Sequence, residues 1–363
     1  MVFFQISLAV LFSPIEKQIQ NNAIREQDAA LALLEQLVNI NSGTANFTGV
    51  HQVGDVLRKQ FEELGFKTRW IESSVETHRA GTFLAERKGP AGAKRLLLLG
   101  HLDTVFSLSS PFQHFRRHGN VATGPGIVDA KGGDVVILSA LKALQAAKAL
   151  ENTSITVLLT PDAENVAQPT SLSRKPLLQA AQHADVALDF EGSLGLGTST
   201  IARRGTSYWE IKTKDALGTN RAVFELARIL NTMRIELEEE DYLSFSSDAI
   251  TGPVKSDLMV TAAFAKGNLS FLTEKQRKKV EDKIQAIVQQ NLPGTTAVVR
   301  FQDGISAMKP TQQDKNLLKN YSQVSIDLGY GVVKPLPSGL RDPADISYIA
   351  GSMPANLSGL GPV

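Results

Sequence analysis

The sequence predicts an α/β protein carrying an inserted α+β unit, and three observations point there. Through the first half, β-type runs alternate with stretches of helical periodicity, the pattern of a sheet covered by helices. After Arg203-Arg204-Gly205 the order becomes strand, helix, strand, strand, helix, strand, which is a ferredoxin-like unit. The chain then resumes its α/β character. The expected division is 13–205 with 307–363 for the α/β domain and 206–306 for the insertion. With 363 residues and 42% hydrophobic content, there is material for one large or two medium cores.

Each element has a local warrant. Apolar residues at helical spacing predict helices over Ile24 to Ile40 and over Val50 to Leu64, the second ending at Gly65. Short β-type runs follow at Lys67 to Ile71, Gly81 to Glu86 and Arg95 to Leu99. A long helix is expected from Asp129 to about Leu150, then a strand at Ser154 to Leu159, a helix at Leu172 to Ala184 and a strand at Asp185 to Phe190. The insertion reads as strand Ser207 to Thr213, helix Arg221 to Leu237, strands Leu243 to Ile250 and Leu258 to Ala265, helix Thr273 to Gln290 with Thr273 as its cap, and strand Thr296 to Phe301. A helix at Asp314 to Leu328, a strand near Val332 to Lys334 and a short helix around Pro343 to Ala350 complete the order. The acidic run Glu236 to Asp241 reads as a solvated helix end.

Composition narrows the chemistry. Lys plus Arg at 38 against Asp plus Glu at 37 is too balanced for an electrostatic nucleic-acid binder. Without cysteine there is no disulfide, thiolate nucleophile or zinc-thiolate cluster, so any metal must be held by His and carboxylates. Met1 to Phe12 is apolar but too short to span a bilayer, and it lacks a basic start and a small-residue cleavage site. It reads either as a docking or fraying segment or as a remnant export signal, which leaves the compartment open between cytoplasm and export. Gly195-Leu196-Gly197 lacks dinucleotide-binding spacing, Lys131-Gly132-Gly133 is no phosphate loop, and no serine sits in a nucleophile elbow.

Two segments carry the functional signal. Gly100-His101-Leu102-Asp103-Thr104-Val105 follows the apolar run Leu96 to Leu99, and Gly124-Pro125-Gly126-Ile127-Val128-Asp129-Ala130-Lys131-Gly132-Gly133 opens a helical stretch. His101 and Asp103, two apart on extended backbone, point the same way, so the aspartate can fix the imidazole's tautomer behind a metal ligand. Asp129 sits at a sharp corner where it either faces the crevice beyond the strand ends or caps the helix. Glu164 lies just past one strand and Glu191 ends another. Taken singly each glutamate reads as a solvated carboxylate, whereas His101, Asp129, Glu164 and Glu191 together line one crevice. His114 and His118, flanked by charges, read as an exposed loop. The chain has no histidine beyond His183.

These motifs, with Ile201-Ala202-Arg203-Arg204-Gly205-Thr206-Ser207, resemble the dinuclear zinc exopeptidase and amidohydrolase family that includes glutamate carboxypeptidase, peptidase T, acetylornithine deacetylase and succinyl-diaminopimelate desuccinylase. The likeness runs from about Ser13 to the C-terminus. It implies a zinc-exopeptidase-type catalytic domain with the insertion as lid or dimerisation domain. It also implies that His101 and Glu191 bind one zinc, that Asp129 bridges two, that Glu164 serves the other, and that the Asp129-Ala130 peptide is cis. In such a site the metals polarise a scissile carbonyl and activate water while a glutamate moves the proton.

The chain departs from that pattern in four places. Ala163 occupies the position of the general base. No histidine follows the first strand of the insertion in Lys214 to Asn220, and the stretch Lys266 to Ser270 lacks an arginine that the family often uses on a substrate carboxylate. The family's second zinc takes a histidine in a segment that would follow Leu360-Gly361-Pro362-Val363. The resemblance therefore implies one tight zinc and a second weak site. It also implies impaired hydrolysis of an amide or peptide bond near a free carboxylate, with a small peptide or N-acyl amino acid as substrate and a homodimer through the insertion. The alternative is a non-catalytic pseudo-enzyme that binds or dimerises.

Overall fold

The protein is described by a computed structural model over residues 12–216, 221–237, 244–251 and 261–363. Two compact units emerge: 1–201 with 310–336 and 352–363, and 202–309 with 337–351. The apolar start up to residue 11, residues 217–220, residues 238–241 of the acidic run and residues 258–260 of an expected strand lie outside the described residues.

Three helices lead in: α1 (Pro14–Arg25), α2 (Gln27–Val38) and α3 (Phe47–Glu63). The helix expected over Ile24 to Ile40 is α2, while α1, parted from it at Glu26, lies almost wholly upstream of that span. Helix α1 buries no residue, so apolar periodicity could not reveal it, and its signal is the Ser13/Glu16 capping box with Pro14 in the first turn. In α3, Val50, Val53, Leu57 and Phe61 form one stripe that faces the core.

Strands β1 (Lys67–Ile71), β2 (Thr82–Arg87) and β3 (Lys94–His101) come next. A short hairpin of β4 (Arg116–His118) and β5 (Val121–Thr123) follows, so His118 lies in a strand rather than a loop, although it and His114 are both exposed. Helix α4 (Lys131–Ala146) starts two residues later than expected, and Asp129 is not its cap. It buries Val135, Ile137, Leu138 and Leu141. Then come β6 (Thr153–Thr160), α5 (Thr170–Ser173), α6 (Lys175–Ala181), β7 (Val186–Asp189) and β8 (Thr198–Ser199).

The second unit contains β9 (Gly205–Asp215), α7 (Arg221–Leu237), β10 (Ser244–Thr251), β11 (Ala262–Phe271), α8 (Glu274–Gln289) and β12 (Thr295–Asp303). They form an antiparallel sheet in the order β10-β11-β9-β12. Alternation along β9 sends Trp209 and Ile211 into a core with Leu226, Ile229 and Met233 of α7 and Val280, Ile284 and Ile287 of α8, while Tyr208, Lys212 and Lys214 stay exposed.

After α9 (Gln312–Asp327) and β13 (Lys334–Pro335), helix α10 (Asp345–Ile349) belongs to the second unit, and β14 (Asn356–Ser358) returns to the first. The main sheet runs β1-β2-β6-β3-β7-β14. Its β6, β3, β7 and β14 are mutually parallel, so these strands end on the same edge. Among the described residues no helix is long and apolar enough to cross a membrane.

Arg95 and Asp185 tie the starts of β3 and β7 together through two guanidinium contacts at 2.6 and 3.3 Å and a backbone N–H at 2.9 Å. These bonds from Arg95 hold the Asp185 carboxyl down at about 2. A depressed folded-state pKa stabilises above the unfolded value near 4, and that gain disappears as pH falls through about 2. Because the pair is partly exposed, Asp185→Asn is expected to cost no more than about 1 kcal/mol at pH 7. The difference from wild type should close between about pH 4 and pH 2 in urea titrations. An undiminished difference at pH 2 would contradict it.

Candidate metal centre

Three neighbouring parallel strands end together. The register sets His101, the last residue of β3, beside Thr160 at the end of β6, and Leu99 beside Asp189 at the end of β7. The segments leaving these strand ends therefore share one crevice. The His101 ring is almost fully buried, with Nε2 2.8 Å from Asp129 Oδ1 and 3.7 Å from Glu191 Oε1. One donor atom from each of His101, Asp129 and Glu191 lies within 4.8 Å of the others. Asp129 is half exposed, in the turn before α4, and the Asp129-Ala130 peptide is cis.

Burial alone would push the His101 imidazole toward its neutral form. Hydrogen bonds to Asp103 and Asp129, with the charges of Asp103 and Glu191, outweigh it and raise the pKa well above the ordinary value. Glu164 lies outside the three-residue group but within its field. Burial raises its carboxyl to about 7, against the lowering pull of His101 and with further raising by Asp129, Asp103 and Glu191. A site that crowds carboxylates around one imidazole gains by accepting a cation.

Asp103 organises the crevice. Its carboxylate is fully buried and accepts from Thr44 Oγ1 at 2.6 Å, the Ala163 N–H at 3.0 Å and the Glu164 N–H at 3.2 Å, and it lies 3.1 Å from His101 Nδ1. An Nδ1–H donated there leaves Nε2 as the free donor atom toward Asp129 and Glu191. The Ala163 methyl carries no acid or base, yet its backbone helps to seat Asp103. The loop behind it is fastened by Asp162, whose Oδ1 accepts from Arg174 Nη1 at 2.5 Å and whose Oδ2 accepts from the Ala167 N–H at 2.8 Å. Arg79 adds a bond to the Asn165 carbonyl at 2.9 Å.

Sequence reading missed Thr44, Arg79 and the Asp162–Arg174 pair. Thr44 meets Asp103 across 59 residues, and no short motif encodes that. It also missed Asp134, whose buried carboxylate has no hydrogen-bond partner among the described residues and is shifted well upward, chiefly by burial. Asp134 Oδ1 packs so tightly on Gly100 that a Cβ there would collide with it.

Comparison with known proteins places the chain among relatives by sequence and by fold. The family model described as Peptidase family M20/M25/M40 matches residues 97–363. Carboxypeptidase G2 of a Pseudomonas species is 35% identical over 233 residues, covering 59% of this chain and 53% of that protein. Succinyl-diaminopimelate desuccinylase of Novosphingobium aromaticivorans is 30% identical over 197 residues, covering 52% and 50%. Each alignment thus spans about half the length of the relative. A dinuclear metal-binding peptidase of Bacillus subtilis shares the fold with a TM-score of 0.67 at 13% identity, over 93% of this chain and 89% of that one.

If Asp103 fixes the imidazole, Asp103→Asn should cost metal affinity without unfolding the protein, since one of its amide N–H groups would face the N–H and hydroxyl donors around it. A loss of about 10- to 100-fold in divalent-metal affinity is expected by chelator competition. Thr44→Val should show a smaller loss in the same direction. Unchanged affinity in Asp103→Asn would remove Asp103 from this role.

Proposed function

The chain belongs to peptidase family M20/M25/M40, and on that basis we propose that it is a zinc-dependent amidohydrolase or carboxypeptidase-like enzyme whose turnover is limited by the side chain at Ala163. The supporting observation is the donor set of one imidazole nitrogen and two carboxylates within 4.8 Å, a combination that suits zinc. His101 and Glu191 would hold the ion, Asp129 would face it from the turn before α4, and Glu164 with Asp129 would offer a weaker second position. Bound there, a divalent cation polarises a scissile carbonyl and acidifies water.

This chain's own residues do the rest. Asp103, 3.1 Å from Nδ1, would accept its proton and leave Nε2 to face the ion. The proton of the attacking water needs an acceptor, and Ala163 supplies none. Absence of a general base typically costs about 10²- to 10⁴-fold in rate, so slow turnover is expected. The reaction proposed is hydrolysis of an amide or peptide bond near a free carboxylate in a small peptide or N-acyl amino acid. The four-stranded unit would serve as a lid and for homodimerisation. Ala163 also favours a second reading, a binding or dimerisation module without turnover. Assays of the zinc-loaded chain on dipeptides and N-acyl amino acids decide between the two, and complete inactivity would leave the second.

Metal stoichiometry tests the ligand assignment separately. Three donors completed by water hold zinc firmly, whereas two carboxylates, one of them shared, leave an ion mostly hydrated. One tight zinc per chain is expected in equilibrium dialysis with elemental analysis. His101→Ala should abolish it and Glu164→Ala should leave it nearly intact. Two tight ions, or tight binding that survives His101→Ala, would overturn the assignment.

A further inference from the structure

Beside the candidate metal centre lies a cleft of about 590 Å³, walled by the segments 43–46 and 104–109 and reaching Glu164 and Asn165. Three features mark it as built. First, its walls are joined: Thr104 N–H bonds the Ser42 carbonyl at 2.9 Å, and Thr44 N–H bonds the Thr104 carbonyl at 3.2 Å. Gly43 sits so close to the Phe106 carbonyl that any Cβ there would collide with it. Second, the outer wall is held in place. Asn41 Nδ2 bonds the carbonyls of Phe106 at 3.0 Å and Ser107 at 3.2 Å, Gln113 Nε2 reaches the Ser107 carbonyl at 2.9 Å, and the Phe106 and Phe112 rings pack 5.1 Å apart.

Third, the chemistry of the lining is one-sided. Val105 and Leu108, 65% and 71% exposed, present aliphatic surface that a fastened loop keeps in water, and Ala45, Ser107 and Ser109 add small neutral groups. Among the described residues that line it, none is cationic and Glu164 alone is acidic. A carboxylate entering here would find no cationic side chain among the described lining residues, whereas an aliphatic or aromatic group would cover Val105 and Leu108.

We propose that this cleft is the subsite for the half of the substrate that lacks the free carboxylate, and that it selects an uncharged, mainly apolar acyl group or side chain adjoining the scissile amide. The assignment rests on the amide-hydrolase reading above and names the substrate class for it. Val105 and Leu108 are specificity-determining residues.

The test uses the full chain loaded with one equivalent of zinc and two N-acyl glutamates of matched shape, 4-methylpentanoyl and succinyl, which differ in a terminal isopropyl against a carboxylate. Turnover is measured on both, and calorimetry gives the affinities of their hydrolysis-resistant ketomethylene analogues. The 4-methylpentanoyl analogue is expected to bind about tenfold or more tightly. Leu108→Lys, an exposed change outside the metal centre, should erase or reverse that preference while zinc affinity stays constant. Equal or tighter binding of the succinyl analogue, binding of neither, or a preference unmoved by Leu108→Lys would overturn the subsite. Turnover without the preference would do so as well, leaving the hydrolase reading intact. A preference seen in binding with no turnover of either compound would support the subsite and count against the hydrolase reading alone.

Discussion

One buried carboxylate holds the crevice together. Asp103 has no exposed surface, so its carboxylate depends on the hydrogen-bonding groups around it, and they come from three parts of the chain: Thr44, His101, and the backbone of Ala163 and Glu164. A buried acceptor that loses a donor keeps its desolvation cost, typically about 1–3 kcal/mol and more for a charged group. Each segment is therefore held where it best satisfies the other two. The same contacts that stabilise Asp103 aim the imidazole and fix where Glu164 leaves the loop.

That arrangement presupposes the parallel register of β6, β3 and β7. Had β3 slipped by one residue, His101 would point to the opposite face and Asp103 with it. The strand itself was legible because Leu96 to Leu99 is a continuous apolar run, as a strand covered on both faces requires. The ferredoxin-like unit was legible for a different reason. Its helices carry long apolar stripes, as in Ala222, Leu226, Ile229 and Met233, and β9 alternates strictly between buried and exposed residues. By contrast α1 and the β4-β5 hairpin bury almost nothing, so no periodic signal existed to find.

For the candidate centre, legibility divided along sequence distance. His101 and Asp103 are two residues apart, and Asp129 follows a Gly-Pro-Gly turn, so local geometry marked them as candidates, and their grouping with the glutamates and the family resemblance set them above their ordinary readings. Glu164 and Glu191 were visible only as carboxylates near strand ends. The supporting contacts are long-range and polar. Arg174 reaches Asp162 over 12 residues, Thr44 reaches Asp103 over 59, and Lys131 sends its Nζ to the Ile40 carbonyl 91 residues away. Burial lowers the Lys131 pKa to about 8, partly offset by Asp134, another effect that composition and periodicity cannot encode.

Position 163 separates framework from chemistry. Its N–H donates to Asp103 whatever side chain it bears, so replacing an acid there with alanine leaves the orienting network whole while removing a proton acceptor. The neighbouring Glu164 is not a simple replacement. A carboxylate engaged by a cation is a poor base because the cation already takes up its charge, and the proposed reading gives Glu164 to a second ion. On the proposed reading, a chain that folds the crevice in this way would still seat metal and substrate while turning over slowly. In the reading proposed above, binding would report on Asp103 and the residues it positions, and rate on the side chain at 163.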